Sequence, residues 1–144
     1  MQLKSVIRDL PESIRSRLTF ENDEYAYSSS ELLEVCLDTA VAMVFDAHHH
    51  VIHEHLESYD DPSVAEMLAA ASTTWRVPEW QLVHISNGKE FFADPRHSDL
   101  ITAMPNSYYD APWIEVEAKF KELAIDKLRA EWLSANVPQF SNVS

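Results

Sequence analysis

Hydrophobic residues recur at spacings of three and four through most of the first half of the chain. The clearest stripe consists of Leu33, Leu37, Ala40, Val44, Ala47 and Val51. This period is typical of an amphipathic helix with one buried face. It predicts a long central helix from about residue 30 to 57, and Ser28 to Ser30 offer side chains that can cap its first turn.

The same pattern predicts three further helices. A short first helix should start near Asp9 and Pro11, and another should start at Asp61-Pro62, with Asp61 as N-cap and Pro62 in the first helical position. Apolar positions from Trp113 to Leu128 predict a long C-terminal helix that begins near residue 110 and ends near 135.

The period changes to two in the stretch "WQLVHISNGKEFF", residues 80–92. Asn87-Gly88 is a strong signal for a tight hairpin turn, because both residues tolerate the positive φ that such a turn requires. We therefore expect an α+β fold and one helix-rich domain spanning residues 1–144. In it, a small antiparallel sheet, with its hairpin around Asn87-Gly88, would pack on the central and C-terminal helices.

Charge is the strongest global signal. The 144 residues carry a net charge of −13, and the stretch from Leu18 to Trp75 contains twelve acidic residues and no Lys or Arg. A folded surface of this kind repels nucleic acid and attracts basic partners. The simpler alternative is a charge that only keeps the protein in solution.

Composition limits the compartment and the class of protein. The single cysteine, Cys36, excludes an intrachain disulfide and favours a cytoplasmic setting. No apolar run approaches the roughly 20 residues that span a bilayer, and the N-terminus lacks a signal-peptide core, so we expect no membrane contact.

Five of the seven histidines lie in the segment "DAHHHVIHEH", residues 46–55. On a helix, only His49 and His53 share a face with i,i+4 spacing, and Asp46 could join them as a metal ligand. The zinc-protease spacings H-E-x-x-H and H-x-x-E-H are both absent. We expect packed or solvated histidines and no metal. A metal-binding protein or metal-dependent enzyme that uses the cluster His48–His55 remains the alternative.

Other catalytic chemistries find little support, so we expect no catalytic residue and no cofactor. Cys36 lies in an apolar stretch, where an inert thiol is usual. One glycine in the whole chain excludes a phosphate-binding glycine loop. The aromatic residues are more typical of a core or a protein-binding patch than of a base-stacking platform. A homodimer through such a patch stays open.

The segments "WQLVHISNGKEFF" and "MPNSYYDAP" resemble the ArdB/KlcA antirestriction family. That family has a tryptophan-led strand, a Ser-Asn-Gly turn, an aromatic pair and a later asparagine-aromatic loop. The matching positions are Trp80, Ser86, Asn87, Gly88, Phe91, Phe92, Asn106 and Tyr108. The family usually doubles the glycine after Asn, whereas Lys89 follows Gly88 here. The resemblance implies a small cytosolic protein that blocks a host defence system by protein contact.

Charge and resemblance together predict a non-enzymatic inhibitor of a bacterial restriction or CRISPR system. Its partner would be a host defence nuclease or the nucleic-acid-binding subunit of one, contacted through an acidic surface that imitates nucleic acid, with no direct contact to DNA or RNA. The predicted contact residues are Glu31, Glu34, Asp38, Asp46, Glu54, Glu57, Asn106, Tyr108 and Asp110.

Overall fold

The computed structural model describes residues 2–135, which contain a parallel sheet of four strands with helices between them. The strands are β1 (Thr19–Glu21), β2 (Ala42–Asp46), β3 (Leu82–Ile85) and β4 (Trp113–Val116), and they lie side by side in chain order. All three neighbouring pairs run parallel. This order and direction match half of a TIM barrel. The expectation of mixed helix and strand is confirmed, but the expected antiparallel sheet is wrong.

In the described range, six α-helices connect or flank the strands. They are α1 (Gln2–Arg8), α2 (Glu12–Arg15), α3 (Ser29–Thr39), α4 (Ala47–His53), α5 (Pro62–Ser72) and α6 (Glu122–Leu128). A π-helical turn, Arg129–Leu133, follows α6, and 3-10 turns form at Pro78–Trp80 and Asn106–Asp110. Within residues 2–135, no helix combines the length and apolar character needed to cross a membrane.

The predicted central helix is in fact a helix, a strand and a second helix. Helix α3 ends at Thr39, and Ala40 takes a left-handed conformation with φ 55°. After Val41, the five residues Ala42–Asp46 form β2, which is buried along most of its length. A strand covered on both sides is apolar at successive positions, so its sequence cannot be told from a buried helix by period alone.

The predicted hairpin does not form. Gly88 has no positive φ, and it makes an isolated antiparallel bridge to His97. The glycine is needed for another reason: a Cβ at this position would lie 1.9 Å from the carbonyl oxygen of Phe91. Strand β3 pairs with β4 instead, with Val83 opposite Ile114.

The predicted C-terminal helix is also wrong over its first part. Residues 113–116 form the edge strand β4, in which exposed and half-buried side chains alternate. Only residues 122–128 are α-helical. The last part of the expectation, beyond residue 135, lies outside the described residues.

Several local predictions are confirmed. Ser28 caps α3 in a capping box with Glu31, and Asp61 caps α5 with Pro62 in its first turn. The main core lies between the sheet and the helices, and it includes the fully buried side chains of Met43, Phe45, Val83, Ile85 and Tyr108. A smaller cluster beneath α1 contains Ile7, Val35 and Val41.

Candidate metal centre at the carboxyl end of the sheet

Polar side chains gather where the four strands end. Glu21 and Asp46 are the last residues of β1 and β2, His84 is the penultimate residue of β3, and Glu117 follows β4 directly. Carboxyl ends of parallel strands meet at one edge of a sheet. One ligand atom from each of the four side chains lies within 4.8 Å of all the others. We call Glu21, Asp46, His84 and Glu117 the strand-end cluster.

Asp46 is held in this cluster by its own backbone and by the start of α4. Its side chain is fully buried, and its Oδ1 accepts a hydrogen bond of 2.9 Å from the backbone N–H of His49. Asn22 bonds both backbone groups of Asp46 through its side-chain amide, at 2.8 and 2.9 Å. The second carboxylate oxygen, Oδ2, has no hydrogen-bond partner within the described chain. One oxygen therefore fixes the residue and the other is free for a ligand.

His84 is positioned in a similar way. Its Nδ1 lies 3.2 Å from Glu21 Oε1 and 3.6 Å from Glu117 Oε1, and neither contact meets hydrogen-bond geometry. Its Nε2 lies 3.4 Å from Glu115 Oε2. The hydroxyl of the buried Tyr108 donates a 2.8 Å bond to the backbone carbonyl of His84. The imidazole of His84 therefore faces the carboxylates of Glu21, Glu115 and Glu117. Its Nδ1 makes no hydrogen bond within the described chain.

The electrostatics of the cluster are unfavourable without a counter-charge. Burial raises the pKa of Glu117, and the neighbouring carboxylates Asp46 and Glu21 raise it further, although His84 opposes them. Burial alone would lower the pKa of His84, but Glu21, Glu117 and Asp46 outweigh burial and raise it. Three carboxylates packed around one imidazole therefore form a strongly negative pocket.

A divalent cation fits this arrangement. Carboxylate oxygens and imidazole nitrogens bind such ions at about 2.0–2.2 Å, so ligand atoms around one ion lie a few ångströms apart. Three of the candidate ligand atoms, Glu21 Oε1, Asp46 Oδ2 and His84 Nδ1, are buried and have no hydrogen-bond partner in the described chain. Buried polar atoms normally have a partner. A bound cation would satisfy all three and offset the negative charge.

Two more histidines border the strand-end cluster. His49 Nδ1 lies 2.9 Å from the carbonyl oxygen of Asn22 and donates to it, which leaves the lone pair on Nε2, 3.6 Å from Glu24 Oε2. His97 Nε2 lies 3.7 Å from Glu117 Oε2. Burial would lower the pKa of His49, but the nearby carboxylates, led by Asp46, raise it. Both rings add nitrogen atoms to the rim of the site.

The five histidines of residues 46–55 have different roles. His48 Nε2 donates to the carbonyl of Asp94 at 2.9 Å, and its Nδ1 accepts from the Tyr59 hydroxyl at 2.7 Å. His50 bridges Ser29 and Ser63. Burial lowers the pKa of both His48 and His50, as expected for neutral structural rings. His53 lies near Glu54, and His55 is exposed with φ 56°.

The alternative ligand set of Asp46, His49 and His53 is therefore only partly assembled. Asp46 belongs to the strand-end cluster and His49 lies on its rim. His53 is directed elsewhere, and its nearest carboxylate is Glu54 Oε1 at 3.4 Å. The physical reason is that α4 starts at Ala47, so His49 lies in its first turn beside the strand ends, and His53, on the same face, lies one turn further along the helix.

Two of the residues predicted to bind a partner are buried, and several others make contacts within the chain. Glu34 and Asp38 both bind Lys4 Nζ at 2.5 Å, which ties α1 to α3, and Glu31 completes the cap of α3. Asp46 and Tyr108 are fully buried, so neither can contribute to an exposed interface. Asn106 bonds Asp60 through its backbone and side chain, while Glu54, Glu57 and Asp110 are exposed and apart from the strand-end cluster.

Sequence reasoning missed Glu21, His84 and Glu117. The available signal was a polar residue at or just after the end of each apolar stretch, as in "TFE", "AMVFD", "LVH" and "WIEVE". That signal has a meaning only for parallel strands, whose carboxyl ends lie together. The sequence pattern predicts a helix at β2 and half of a hairpin at β3. In that arrangement the four residues of the strand-end cluster do not lie at one edge of a sheet.

The matching family model and the similar proteins point to the same family. The family model described as UV-endonuclease UvdE matches residues 1–143. A UV DNA damage endonuclease from Nostoc sp. is 64% identical over 132 residues, which cover 92% of this chain and 41% of that protein. The Deinococcus radiodurans enzyme of the same name is 56% identical over 89% of this chain and 42% of its own length.

A solved structure shares the fold. The crystal structure of SacUVDE superposes with a TM-score of 0.70 over 90% of this chain and 45% of that chain, at 23% identity. The curated relatives are longer than this chain, which spans about two fifths of their length.

These matches overturn the antirestriction interpretation. The resemblance to the ArdB/KlcA family is wrong, because the hairpin expected at Asn87-Gly88 does not form and residues 1–143 match another family. The expectations of an inhibitor, of no enzyme and of no contact with nucleic acid are wrong as well, since the relatives are named DNA damage endonucleases. Net charge describes the whole surface and does not exclude a local site. The chain belongs to the UV-endonuclease UvdE family.

Proposed function

We propose that this chain supplies a divalent metal centre to a UV DNA damage endonuclease, an enzyme that cuts a DNA strand beside a photolesion. The main observation in support is the strand-end cluster. Three of its ligand atoms, each from a different strand, are buried and have no hydrogen-bond partner in the described chain. The names of the relatives supply the substrate class and the reaction. The position also fits, because active sites of β/α folds lie at the carboxyl ends of the strands.

The cation would polarise a phosphodiester oxygen and lower the pKa of a bound water. Glu21, Asp46, His84 and Glu117 would hold it. Glu115 lies near His84 Nε2 and would orient the imidazole from behind, as carboxylates often do for metal-binding histidines. His49 Nδ1 donates to the carbonyl of Asn22, so its Nε2 would face a water bound at the rim of the site.

A metal centre also explains how a strongly acidic chain could act on DNA. The bare carboxylates of the strand-end cluster repel phosphates, whereas a cation held by them would attract phosphates. DNA binding by this chain is therefore expected to depend on divalent cations. Two exposed aromatic side chains on the loops at the same end of the sheet, Tyr25 and Phe91, would stack on unpaired bases.

We propose that residues 1–144 fold as one domain. This domain corresponds to half of a barrel, and β1 and β4 form its two free edges. The remaining length of the relatives would then supply the other strands, and full activity on DNA would draw on both parts.

Metal binding tests the site directly. Protein stripped with a chelator is titrated with Mn²⁺ or Zn²⁺ by calorimetry, first as the unaltered chain and then as His84→Ala and Glu117→Gln. We expect a saturable site that loses at least about 100-fold in affinity in either variant, since each removes a ligand. His53→Ala is the matched control and should bind as the unaltered chain does. Equal affinity in all four proteins would exclude the strand-end cluster as the metal centre.

Activity is tested on supercoiled plasmid, irradiated or not, in the presence of the same cations. We expect nicking of irradiated plasmid alone, and its loss in His84→Ala but not in His53→Ala. If metal binds as expected and no nicking occurs, the residues present in the relatives but absent from this chain are needed for catalysis. Cation-independent nicking by His84→Ala protein would contradict the proposal.

A further inference from the structure

The amino end of the sheet carries a pocket with the opposite charge to the strand-end cluster. It is a cavity of about 410 Å³ next to Thr19 and Ala42, the first residues of β1 and β2. Three arginines and two tryptophans line it, namely Arg15, Arg17, Arg76, Trp75 and Trp80. Among residues 2–135, no acidic residue lines it, although the chain has 24 acidic residues and only 11 Lys and Arg.

The arginines come from both sides of the long acidic stretch. No Lys or Arg lies between Arg17 and Arg76 in the sequence, and the fold brings these two ends of the stretch to one cavity. Arg17 is exposed and forms no salt bridge with any carboxylate of residues 2–135. Within the described part of the chain, Arg76 is paired only with Glu12, at 3.6 Å, and both side chains are more than 70% exposed. Such an exposed pair is weak and easily displaced.

The tryptophans give the pocket a fixed aromatic wall. Trp75 Nε1 donates a 2.8 Å hydrogen bond to the carbonyl of Met43 in β2, so its ring position is set by the sheet. Thr74, the residue before Trp75, is also held by β2, because its hydroxyl oxygen accepts a 2.8 Å hydrogen bond from Met43 N–H. Trp80 is 64% exposed at the end of a 3-10 turn, and its face is open to a ligand.

We propose that this pocket binds a nucleotide: a phosphate held by the arginines and a base stacked on tryptophan. Guanidinium groups bind phosphate with charge-assisted, paired hydrogen bonds. Indole rings stack on bases without strong sequence preference. A volume of about 410 Å³ lies within the usual range for small-ligand sites. The pocket lies at the other end of the strands from the strand-end cluster, so it does not depend on the metal centre.

Binding is tested on the whole chain in excess EDTA, where the metal centre cannot contribute. Calorimetry with dTMP should show one saturable site with a Kd below about 1 mM. Inorganic phosphate should bind more weakly for want of the base, by about fivefold or more, and thymidine more weakly for want of the phosphate. Equal affinity for phosphate and dTMP would overturn the nucleotide assignment, and no saturable binding of dTMP would overturn the pocket itself.

Variants assign the binding to these residues. Arg15→Gln and Arg76→Gln should each weaken dTMP about tenfold, as expected for a lost charge-assisted contact. Trp80→Leu should weaken dTMP but leave phosphate unchanged. Glu12→Gln should tighten dTMP by about twofold, since it frees Arg76. Arg129→Gln and Trp113→Leu, exposed positions outside the pocket, are the matched controls, and equal losses there would contradict the assignment.

A last arm identifies the source of the nucleotide. A 5′-phosphorylated oligothymidylate that competes with dTMP, and does so only when phosphorylated, would show that a DNA strand end occupies the pocket. Competition by dTMP but not by the oligonucleotide would show a free nucleotide as the occupant. Failure of the endonuclease proposal leaves each of these outcomes unchanged, because no step uses the strand-end cluster.

Discussion

The two ends of the parallel sheet present opposite chemistry. At the carboxyl end, Glu21, Asp46, His84 and Glu117 bring three acids and an imidazole together. At the amino end, Arg15, Arg17 and Arg76 surround a cavity without an acid. Both groups consist of residues far apart in sequence, and both owe their proximity to strands that run in one direction.

The contrast shows that net charge and local charge answer different questions. A net charge of −13 describes the average surface, and it suggested a partner that is basic. The sites depend instead on which few side chains converge and whether their polar atoms have partners. At the carboxyl end, three of the converging atoms have none in the described chain, which points to a cation.

The largest effect is expected from Asp46→Asn. This change removes a ligand charge but keeps the cap of α4, because an Asn side-chain oxygen can also accept from His49 N–H. We expect metal affinity to fall at least about 100-fold. Without metal, the free energy of unfolding should rise, because the repulsion with Glu21 and Glu117 is relieved. Calorimetry and urea unfolding in EDTA measure the two effects. Arg76→Gln, at the other end of the sheet, should change neither, and a loss of metal affinity there would break the separation of the two ends.

His48→Ala sharpens the division within the histidine segment. Its ring is fully buried between Tyr59 and the carbonyl of Asp94, so its loss should cost about 2–4 kcal/mol in the free energy of unfolding. His49→Ala should cost about 1 kcal/mol and should weaken metal binding more than His48→Ala does. Urea titration of both variants in EDTA gives the stabilities. The reverse order of stability would contradict the structural role of His48.

Glu117→Gln tests the repulsion within the strand-end cluster. Without metal, its carboxylate lies near Glu21 and Asp46, and neutralising it should raise the free energy of unfolding by about 1 kcal/mol. Adding the metal should reverse the sign, since the variant binds it more weakly. Thermal unfolding with EDTA and with Mn²⁺ follows both effects. Glu57→Gln, an exposed acid outside the cluster, should give less than about 0.5 kcal/mol in either condition.

A smaller, pH-dependent effect is expected from Asp94, in the segment between β3 and β4. The side chain of Arg96 and the backbone amides of Arg96 and Glu90 lower its pKa from 3.8 to about 2. A lowered pKa contributes stability above pH 4 that is lost as the pH falls from about 4 to 2. Asp94→Asn should therefore flatten the loss of stability over that window. Equal slopes of unfolding free energy against pH in both proteins would rule out the contribution.

Some elements could be predicted because local signals decide them. The cap of α3 at Ser28 and Glu31 and the start of α5 at Asp61-Pro62 depend on hydrogen bonds within a few residues. The strands could not be read in the same way. Residues 42–46 are apolar up to their final Asp46, and a period-based reading joins them to the helices on both sides.

The hairpin error has a different physical origin. Asn87-Gly88 has the composition of a tight turn, but the Asn87 side chain is buried and bonds the backbone of Thr102 and Ala103. Gly88 is there because the carbonyl of Phe91 leaves no space for a Cβ. Asn87 is determined by contacts with residues distant in the sequence, and Gly88 by the backbone of the loop that follows it. Sequence spacing reveals neither kind of contact.

By itself, the sequence determined the acidic character of the chain, the mixture of helix and strand, and two helix starts. These features follow from composition and from interactions over a few residues. Only the tertiary structure decided that the strands run parallel, that Glu21, Asp46, His84 and Glu117 share one edge, and that Arg15, Arg17 and Arg76 share another. Strand pairing is a long-range choice made by packing of the whole core, and both sites are consequences of it.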